Sequence, residues 1–151
     1  MPYRSTKTPL RFGLIATACW LATLGAAFAQ SPPQGAGVQI TASSGNVAAA
    51  TATATLAAAV GKVTYICGFS ITSAGSTGAA VVSPTIANII TGTMTFTYPS
   101  VAGATLANPS LIVPFAACIP ASAPNTTIPV SMPSLGAGNT NTTVNAWGYQ
   151  R

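Results

Sequence analysis

Two stretches of the chain alternate apolar and polar residues with a period of two, which limits their local structure to extended strands. In KVTYICGFSIT (62–72) the apolar positions are Val63, Tyr65, Cys67, Phe69 and Ile71. In GTMTFTYPS (92–100) they are Met94, Phe96 and Tyr98. A helix cannot keep either set on one side, because its period is 3.6 residues. Each stretch is predicted to be a strand with one apolar face, and Cys67 to lie on an inward face.

Six further segments bring the predicted strands to about eight: 37–42, 47–60, 78–90, 110–119, 126–133 and 143–150. Segment 47–60 is ambiguous because alanine is the best helix former, but its Ala/Thr alternation favours a strand. Pro129 and Pro133 lack a backbone N–H, so 126–133 is expected at a sheet edge or a bulge. Several short strands separated by turns predict an all-β fold, a single jelly-roll-like β-sandwich.

Two segments resemble known proteins. TATLAAAVGKVTYICGFSIT (53–72) and CIPASAPNTTIPVSMPSLGAGNTNTTVNAWGYQ (118–150) are similar to a group of small, uncharacterised β-sandwich proteins from bacterial genomes and phage-type structural gene sets. The resemblance covers most of residues 46–150 and is a pattern of strands, turns and C-terminal aromatic residues. It implies the fold, and no functional residue is carried over from it.

The N-terminal residues 1–29 are predicted to be a secretory signal peptide, a feature that departs from the phage setting. Three basic residues, an apolar run at 13–27 and the sequence Ala27-Phe28-Ala29 form the expected pattern. The run is shorter than the roughly 20 residues that span a bilayer, so cleavage is favoured over a membrane anchor. We therefore expect a leader and first strand at 30–45 and a sandwich domain at 46–151. The protein is expected to be secreted, periplasmic or at the cell surface.

The chain contains no Asp, Glu or His, and cleavage of the signal would leave Lys62 and Arg151 as its charged side chains. Nucleic acids and anionic membranes are bound by clustered Lys and Arg, so neither partner is expected, and no membrane span remains after cleavage. General acid–base catalysis and metal binding also need the missing residue types. We predict no enzyme activity, no cofactor and no metal, because a lone lysine such as Lys62 is typically a solvated charge.

Composition favours a folded protein that acts by association. With 49% hydrophobic residues and a mean hydropathy of +0.53, the chain is unlike disordered segments. A net charge near zero favours association, so we expect a non-enzymatic structural or assembly protein that binds copies of itself or a surface or virion-like assembly. A carbohydrate- or surface-binding module is the alternative. Candidate contact residues are Pro129, Trp147 and Tyr149, of which the two aromatic residues equally suit packing in a core or interface.

Cys67 and Cys118 are the cysteines that remain after signal cleavage, and they are predicted to form a disulfide in an exported protein. Cys118 is out of phase with the apolar residues Leu111, Val113 and Phe115 of its own strand. A bulge at Pro114 or Pro120 is therefore needed for the two cysteines to meet.

Overall fold

The computed structural model describes residues 37–151, and the predicted signal peptide and most of the leader lie outside them. The described part of the chain contains ten strands and no helix. In chain order they are β1 (Val38–Ser43), β2 (Ala52–Leu56), β3 (Thr64–Ala74), β4 (Ala80–Val82), β5 (Thr85–Ile89), β6 (Gly92–Thr95), β7 (Tyr98–Ser100), β8 (Leu111–Pro120), β9 (Ile128–Met132) and β10 (Asn141–Gln150).

Two four-stranded antiparallel sheets make up most of the fold, which confirms the all-β prediction. Sheet A has the strand order β1-β10-β3-β8, and sheet B has the order β2-β9-β5-β6. Strands β4 and β7 form a separate two-stranded sheet. The first strand is part of sheet A, because β1 pairs with β10 from Val38↔Gln150 to Ser43↔Asn145. This arrangement is consistent with the predicted β-sandwich.

One hydrophobic core lies between the sheets. Its largest fully buried apolar side chains are Tyr98, Phe69, Leu56, Ile66, Ile71, Ile86, Ile89, Ile128, Met132, Val130 and Val144. The ambiguous segment 47–60 contributes β2, where Ala52, Ala54 and Leu56 are fully buried and Thr53 and Thr55 are exposed. The strict alternation explains why this part of the alanine-rich segment is a strand: Ala52 and Ala54 face the core, whereas Thr53 and Thr55 face outward.

The strand count exceeds the prediction because two predicted strands are each divided. Segment 78–90 forms β4 and β5, separated at Pro84, and segment 92–100 forms β6 and β7. The bend is held by a hydrogen bond of 2.8 Å that the Phe96 amide donates to the Pro84 carbonyl oxygen. Segments 78–90 and 92–100 therefore form one bent hairpin. Its β4 and β7 ends belong to the two-stranded sheet, and its β5 and β6 ends belong to sheet B. Its predicted apolar face persists through the bend, since Met94, Phe96 and Tyr98 all contact the core.

The predicted edge position of Pro129 is wrong. Pro129 lies in β9, which is paired on one side with β2 and on the other with β5. The ladder to β5 covers Ser131 and Val130 and stops before Pro129. The missing N–H is accommodated because the proline lies beyond the end of that ladder, where a central strand can tolerate it.

A bulge in β3 reverses the phase that the sequence pattern predicts. Before Cys67 the inward residues are Thr64 and Ile66, both fully buried, whereas after it they are Phe69 and Ile71. The predicted single apolar face at 63, 65, 67, 69 and 71 is therefore wrong for its first half. Cys67 lies half-buried on the outer face of sheet A, and the expectation of an inward Cys67 is corrected by this bulge.

The disulfide between Cys67 and Cys118 joins β3 to β8 at the bulge. Gly68 pairs with Pro114 and Ile66 pairs with Ile119, so the single residue Cys67 faces the four residues 115–118. The predicted irregularity of β8 begins directly after Pro114. Alternation in β8 already places Cys118 on the outer face, opposite to Phe115 and Ile119, and the change of phase in β3 brings Cys67 to that same face.

A buried polar network joins one end of the core to its loops. The Tyr98 hydroxyl lies 2.8 Å from Ser73 Oγ, and Asn108 Nδ2 donates to the same oxygen at 3.0 Å. Asn108 Oδ1 accepts a hydrogen bond from the Val101 amide at 2.6 Å. Burial raises the pKa of the Tyr98 hydroxyl above its usual value, and the hydrogen bond with Ser73 opposes that shift.

Removal of the disulfide is expected to lower the free energy of unfolding substantially. The bridge closes a loop with a sequence separation of 51 residues, which in the chain-entropy description corresponds to about 4 kcal/mol. We expect a loss of this size in the Cys67→Ala/Cys118→Ala variant, measured by denaturant unfolding with linear extrapolation. A double variant as stable as the parent protein would contradict the prediction.

The pH dependence of stability is expected to be flat and then to fall in alkali. Residues 37–151 contain no Asp, Glu or His, and their cysteines are paired, so the unfolding midpoint should hardly change between about pH 4 and pH 9. Above about pH 10, the unfolded chain loses the Tyr98 proton while the folded protein keeps it. Stability therefore falls as pH rises toward the raised folded-state pKa.

The Tyr98→Phe variant isolates this contribution, because phenylalanine cannot ionise. Thermal unfolding followed by circular dichroism from pH 4 to pH 11 should show a smaller alkaline decrease for this variant than for the parent. Equal alkaline decreases in both proteins would refute the assignment to Tyr98.

Candidate functional site

The aromatic residues of the described chain divide into two groups. Four of them, Phe69, Phe96, Tyr98 and Phe115, belong to the core or pack against it. The other three, Tyr65, Trp147 and Tyr149, lie half-buried on the outer face of sheet A, on strands β3 and β10. Together with Pro114 and Pro120 of β8 they form what we name the aromatic face.

Tyr65 and Tyr149 stack directly on each other. They are cross-strand partners in the β3–β10 ladder, and their ring centroids are 4.7 Å apart with an interplanar angle of 9°. This distance equals the spacing between neighbouring strands, about 4.7–4.9 Å, so the two rings stand side by side on the sheet. Pro120 is the partner of Tyr65 in β8 and continues the same row.

Trp147 occupies the space above Gly68. A Cβ atom at position 68 would lie 2.7 Å from indole Cε2 and 2.7 Å from the Val113 carbonyl oxygen, so no side chain fits there. Position 148 of β10 also requires glycine, because a Cβ atom added there would collide with the Tyr65 carbonyl oxygen. The two glycines let the strands approach at the bulge and let the indole lie against β3.

The neighbours of Trp147 on the aromatic face are polar and uncharged. Thr41 of β1 is the cross-strand neighbour of Trp147, and the next row of the sheet contains Ser43, Asn145, Ser70 and Ile112. Their hydroxyl and amide groups can donate and accept hydrogen bonds. At the other end of the face, Arg151 follows Tyr149 by two residues and pairs with Val63 through two backbone hydrogen bonds, which brings one charged residue next to the tyrosine pair.

Metal-ligating side chains are not clustered within residues 37–151, where no group of three or more His, Cys, Asp or Glu residues occurs. In the same part of the chain, every buried side-chain nitrogen or oxygen has a hydrogen-bond partner. The buried polar groups of these residues therefore all take part in hydrogen bonds of the fold.

The predicted contact residues fall on two opposite surfaces. Trp147 and Tyr149 lie together on the outer face of sheet A, as neighbours on one side of β10. Pro129 lies on the outer face of sheet B, because it alternates with the fully buried Ile128 and Val130 of β9. The three residues therefore do not form a single site.

Tyr65 was missed as a surface residue because period-two alternation assigns it to the same face as Phe69. The available signal was Gly68, since a glycine inside a strand pattern often marks a bulge or a close backbone approach. Gly148 carries the same signal in β10. Neither glycine identifies which tyrosine lies opposite Tyr149, because that depends on the register between strands distant in sequence.

No helix that is long and apolar enough to cross a membrane is found in the described residues. No protein-family model, curated protein or solved structure matches the chain. The candidate site is therefore characterised by its own geometry and chemistry.

The Gly68→Ala substitution is expected to displace the indole of Trp147 and destabilise the domain. Overpacking of this kind typically lowers stability by about 1–3 kcal/mol. Tryptophan fluorescence and denaturant unfolding should both change. Gly78→Ala is the matched control, because nothing lies within 4 Å of a Cβ atom at that position. If the two variants behave alike, Gly68 does not position Trp147.

Proposed function

We propose that the mature protein is a secreted, non-enzymatic β-sandwich that works by association, with the aromatic face as a contact surface. The partners are copies of itself or a larger cell-surface or virion-like assembly. The observation that carries the proposal is the distribution of aromatic side chains. Those that do not belong to the core are gathered on the outer face of one sheet.

Physical chemistry favours this face as a contact surface. Tyr and Trp are enriched at protein interfaces because a ring buries a large apolar area while immobilising few torsions. Threonine, serine and asparagine neighbours lose less on burial than charged residues do. The Tyr65–Tyr149 stack and the position of Trp147 over Gly68 are already ordered, so little conformational entropy remains to be lost on binding.

Secretion and the absence of enzyme activity are supported by chemistry rather than by comparison. A disulfide persists in an oxidising compartment, in agreement with a signal peptide at residues 1–29. The chain has no carboxylate or imidazole side chain with which to move a proton near neutral pH. A structural or binding role needs neither group.

We further propose that the sandwich is a jelly roll. If β4 with β5 and β6 with β7 are each counted as one bent strand, eight strands remain, as the sequence pattern predicts. Successive strands then alternate between sheets A and B, except for the central hairpin, which is the connectivity of two Greek keys. Capsid and lectin domains both use this architecture, so it agrees with the resemblance to phage-type proteins without selecting a function.

Carbohydrate binding is a second candidate because of the groups around Trp147. The indole is flanked by Thr41 and is one row from Asn145 and Ser70. An aromatic ring beside hydroxyl and amide groups is suited to stacking against a sugar ring while hydrogen bonding its hydroxyls. The absence of carboxylates makes such a site weak, which is why association is placed first.

Trp147 provides its own reporter for the test, since it is the tryptophan of residues 37–151. Acrylamide quenching of its fluorescence should decrease as the concentration of the signal-cleaved protein rises, because self-association covers the indole. Light scattering should show a matching increase in mass. Trp147→Ala should reduce that mass, whereas Thr95→Ala, an exposed change on sheet B, should not.

The same reporter separates the two candidate functions. Protection of Trp147 by chitin or cellulose fragments, or by sugars of a glycan array, with no dependence on protein concentration, would replace association by carbohydrate binding. Quenching that responds to neither concentration nor sugar would show that the aromatic face binds neither copies of the protein nor these sugars, which would overturn self-association through this face.

A further inference from the structure

We infer that the protein has a second contact surface for its own copies: the free edge of β2, which pairs antiparallel with β2 of another copy. The inference deepens the self-association part of the proposed function, on which it rests. A single two-fold contact closes at a dimer, so an extended assembly requires a second contact. The four strands at the edges of the two four-stranded sheets differ in how readily they could pair with a strand of another copy.

Strand β2 is regular and open on one side. It pairs with β9 through five consecutive residue pairs, from Ala52↔Met132 to Leu56↔Ile128, without a register shift. Within residues 37–151 no other strand is paired with it. Its outer edge therefore presents backbone N–H and C=O groups in the arrangement that adds a further strand.

Two of the other three edge strands carry features that discourage pairing. Strand β8 contains Pro114 and Pro120 and bulges at residues 115–118. Strand β6 has four residues, and its ladder with β5 shifts register between Ile86 and Ile89. Strand β1 is regular over Val38–Ser43, so it differs from β2 in its side chains rather than in its edge. Prolines and bulges are common protections of sheet edges, and β2, five residues long, has neither.

Charge does not protect β2 either. The usual guard of an edge strand is a lysine, and the charged side chains of residues 37–151 are Lys62 and Arg151, both outside β2. Two copies can therefore approach at this edge without like-charge repulsion. The low charge of the whole domain makes the approach independent of ionic strength.

The side chains of β2 are complementary to themselves. Thr53 and Thr55 are exposed on the outer face, and Ala52, Ala54 and Leu56 are fully buried on the inner face. Antiparallel pairing about a two-fold axis at Ala54 places Thr53 opposite Thr55 of the other copy, and the inner residues, which are already fully buried, lose no further exposed area. Thr–Thr pairs stabilise neighbouring antiparallel strands.

The pairing also extends a regular feature of sheet B. One row of hydroxyl residues crosses the whole sheet, namely Thr53, Ser131, Thr85 and Thr95. Thr53 Oγ1 and Ser131 Oγ already form a hydrogen bond of 2.9 Å. Antiparallel pairing with a two-fold axis perpendicular to the sheet leaves the aromatic faces of both copies on one side. Each of them remains free to bind a further copy, so β2 dimers can join through their aromatic faces into larger assemblies.

A charge placed on β2 tests the inference. Thr55→Lys and Thr55→Glu should each lower the assembled mass measured by sedimentation velocity over a concentration series, because the two like charges then lie at diagonal positions across the new strand pair. An equimolar mixture of the two variants should restore association, since opposite charges then meet. Thr95→Lys is the matched control, an exposed threonine of the same hydroxyl row on β6, and it should assemble like the parent.

Recovery in the mixture shows that both variants fold, so loss of assembly cannot be attributed to unfolding. Equal behaviour of Thr55→Lys and Thr95→Lys, or a mixture that does not recover, would overturn the β2 contact. Trp147→Ala should leave dimers joined through β2, Thr55→Lys should leave dimers joined through the aromatic face, and the double variant should be monomeric. The experiment therefore distinguishes a protein that lacks the β2 contact from one that lacks the aromatic-face contact.

Discussion

The bulge at Cys67 is the constraint on which sheet A depends. At this point one residue of β3 faces four residues of β8, and the β10 ladder shifts between Trp147 and Gly148. The disulfide to Cys118 joins the two irregular segments, and Gly68 leaves the space that the indole fills. Without the change of phase, Ile66 and Phe69 would face opposite sides of the sheet. The bulge allows both to enter the core while Tyr65 and Trp147 remain outside.

The near absence of charge affects both the interior and the surface. Loop ends are held by neutral amide side chains: Asn139 Nδ2 donates to the carbonyl oxygens of Ala74, Gly75 and Asn141. These bonds are neutral, so they do not respond to pH near neutrality. On the surface, the same composition removes the repulsion that keeps most small proteins apart. The flat pH dependence expected of stability and the proposed association therefore have a common origin in the side-chain chemistry of the chain.

Comparison of the predicted and observed strands shows where reading the pattern succeeds. The Ala/Thr alternation at 52–56 and the Thr alternation of 92–98 each keep one inward set of residues, because the phase is unchanged along β2 and through the bend between β6 and β7. The pattern of 62–72 predicted the wrong inward residues before Gly68, because a bulge changes the phase without changing the sequence period. Pro129 suggested an edge, although the ladder to β5 ends before it. Sequence patterns predicted these two features wrongly, because the inward residues of β3 and the position of Pro129 depend on how the neighbouring strands pair.

The sequence by itself determined the all-β class, the approximate strand positions, the pairing of Cys67 with Cys118 and the lack of side chains for acid–base chemistry. These properties follow from the residue types present and from the period-two alternation, which can be recognised within a few consecutive residues. Only the tertiary structure decided that Tyr65 stacks on Tyr149, that Trp147 lies over Gly68 and that β2 has an open edge. Those contacts join residues tens of positions apart, and their geometry depends on strand register and sheet order, which no local pattern encodes.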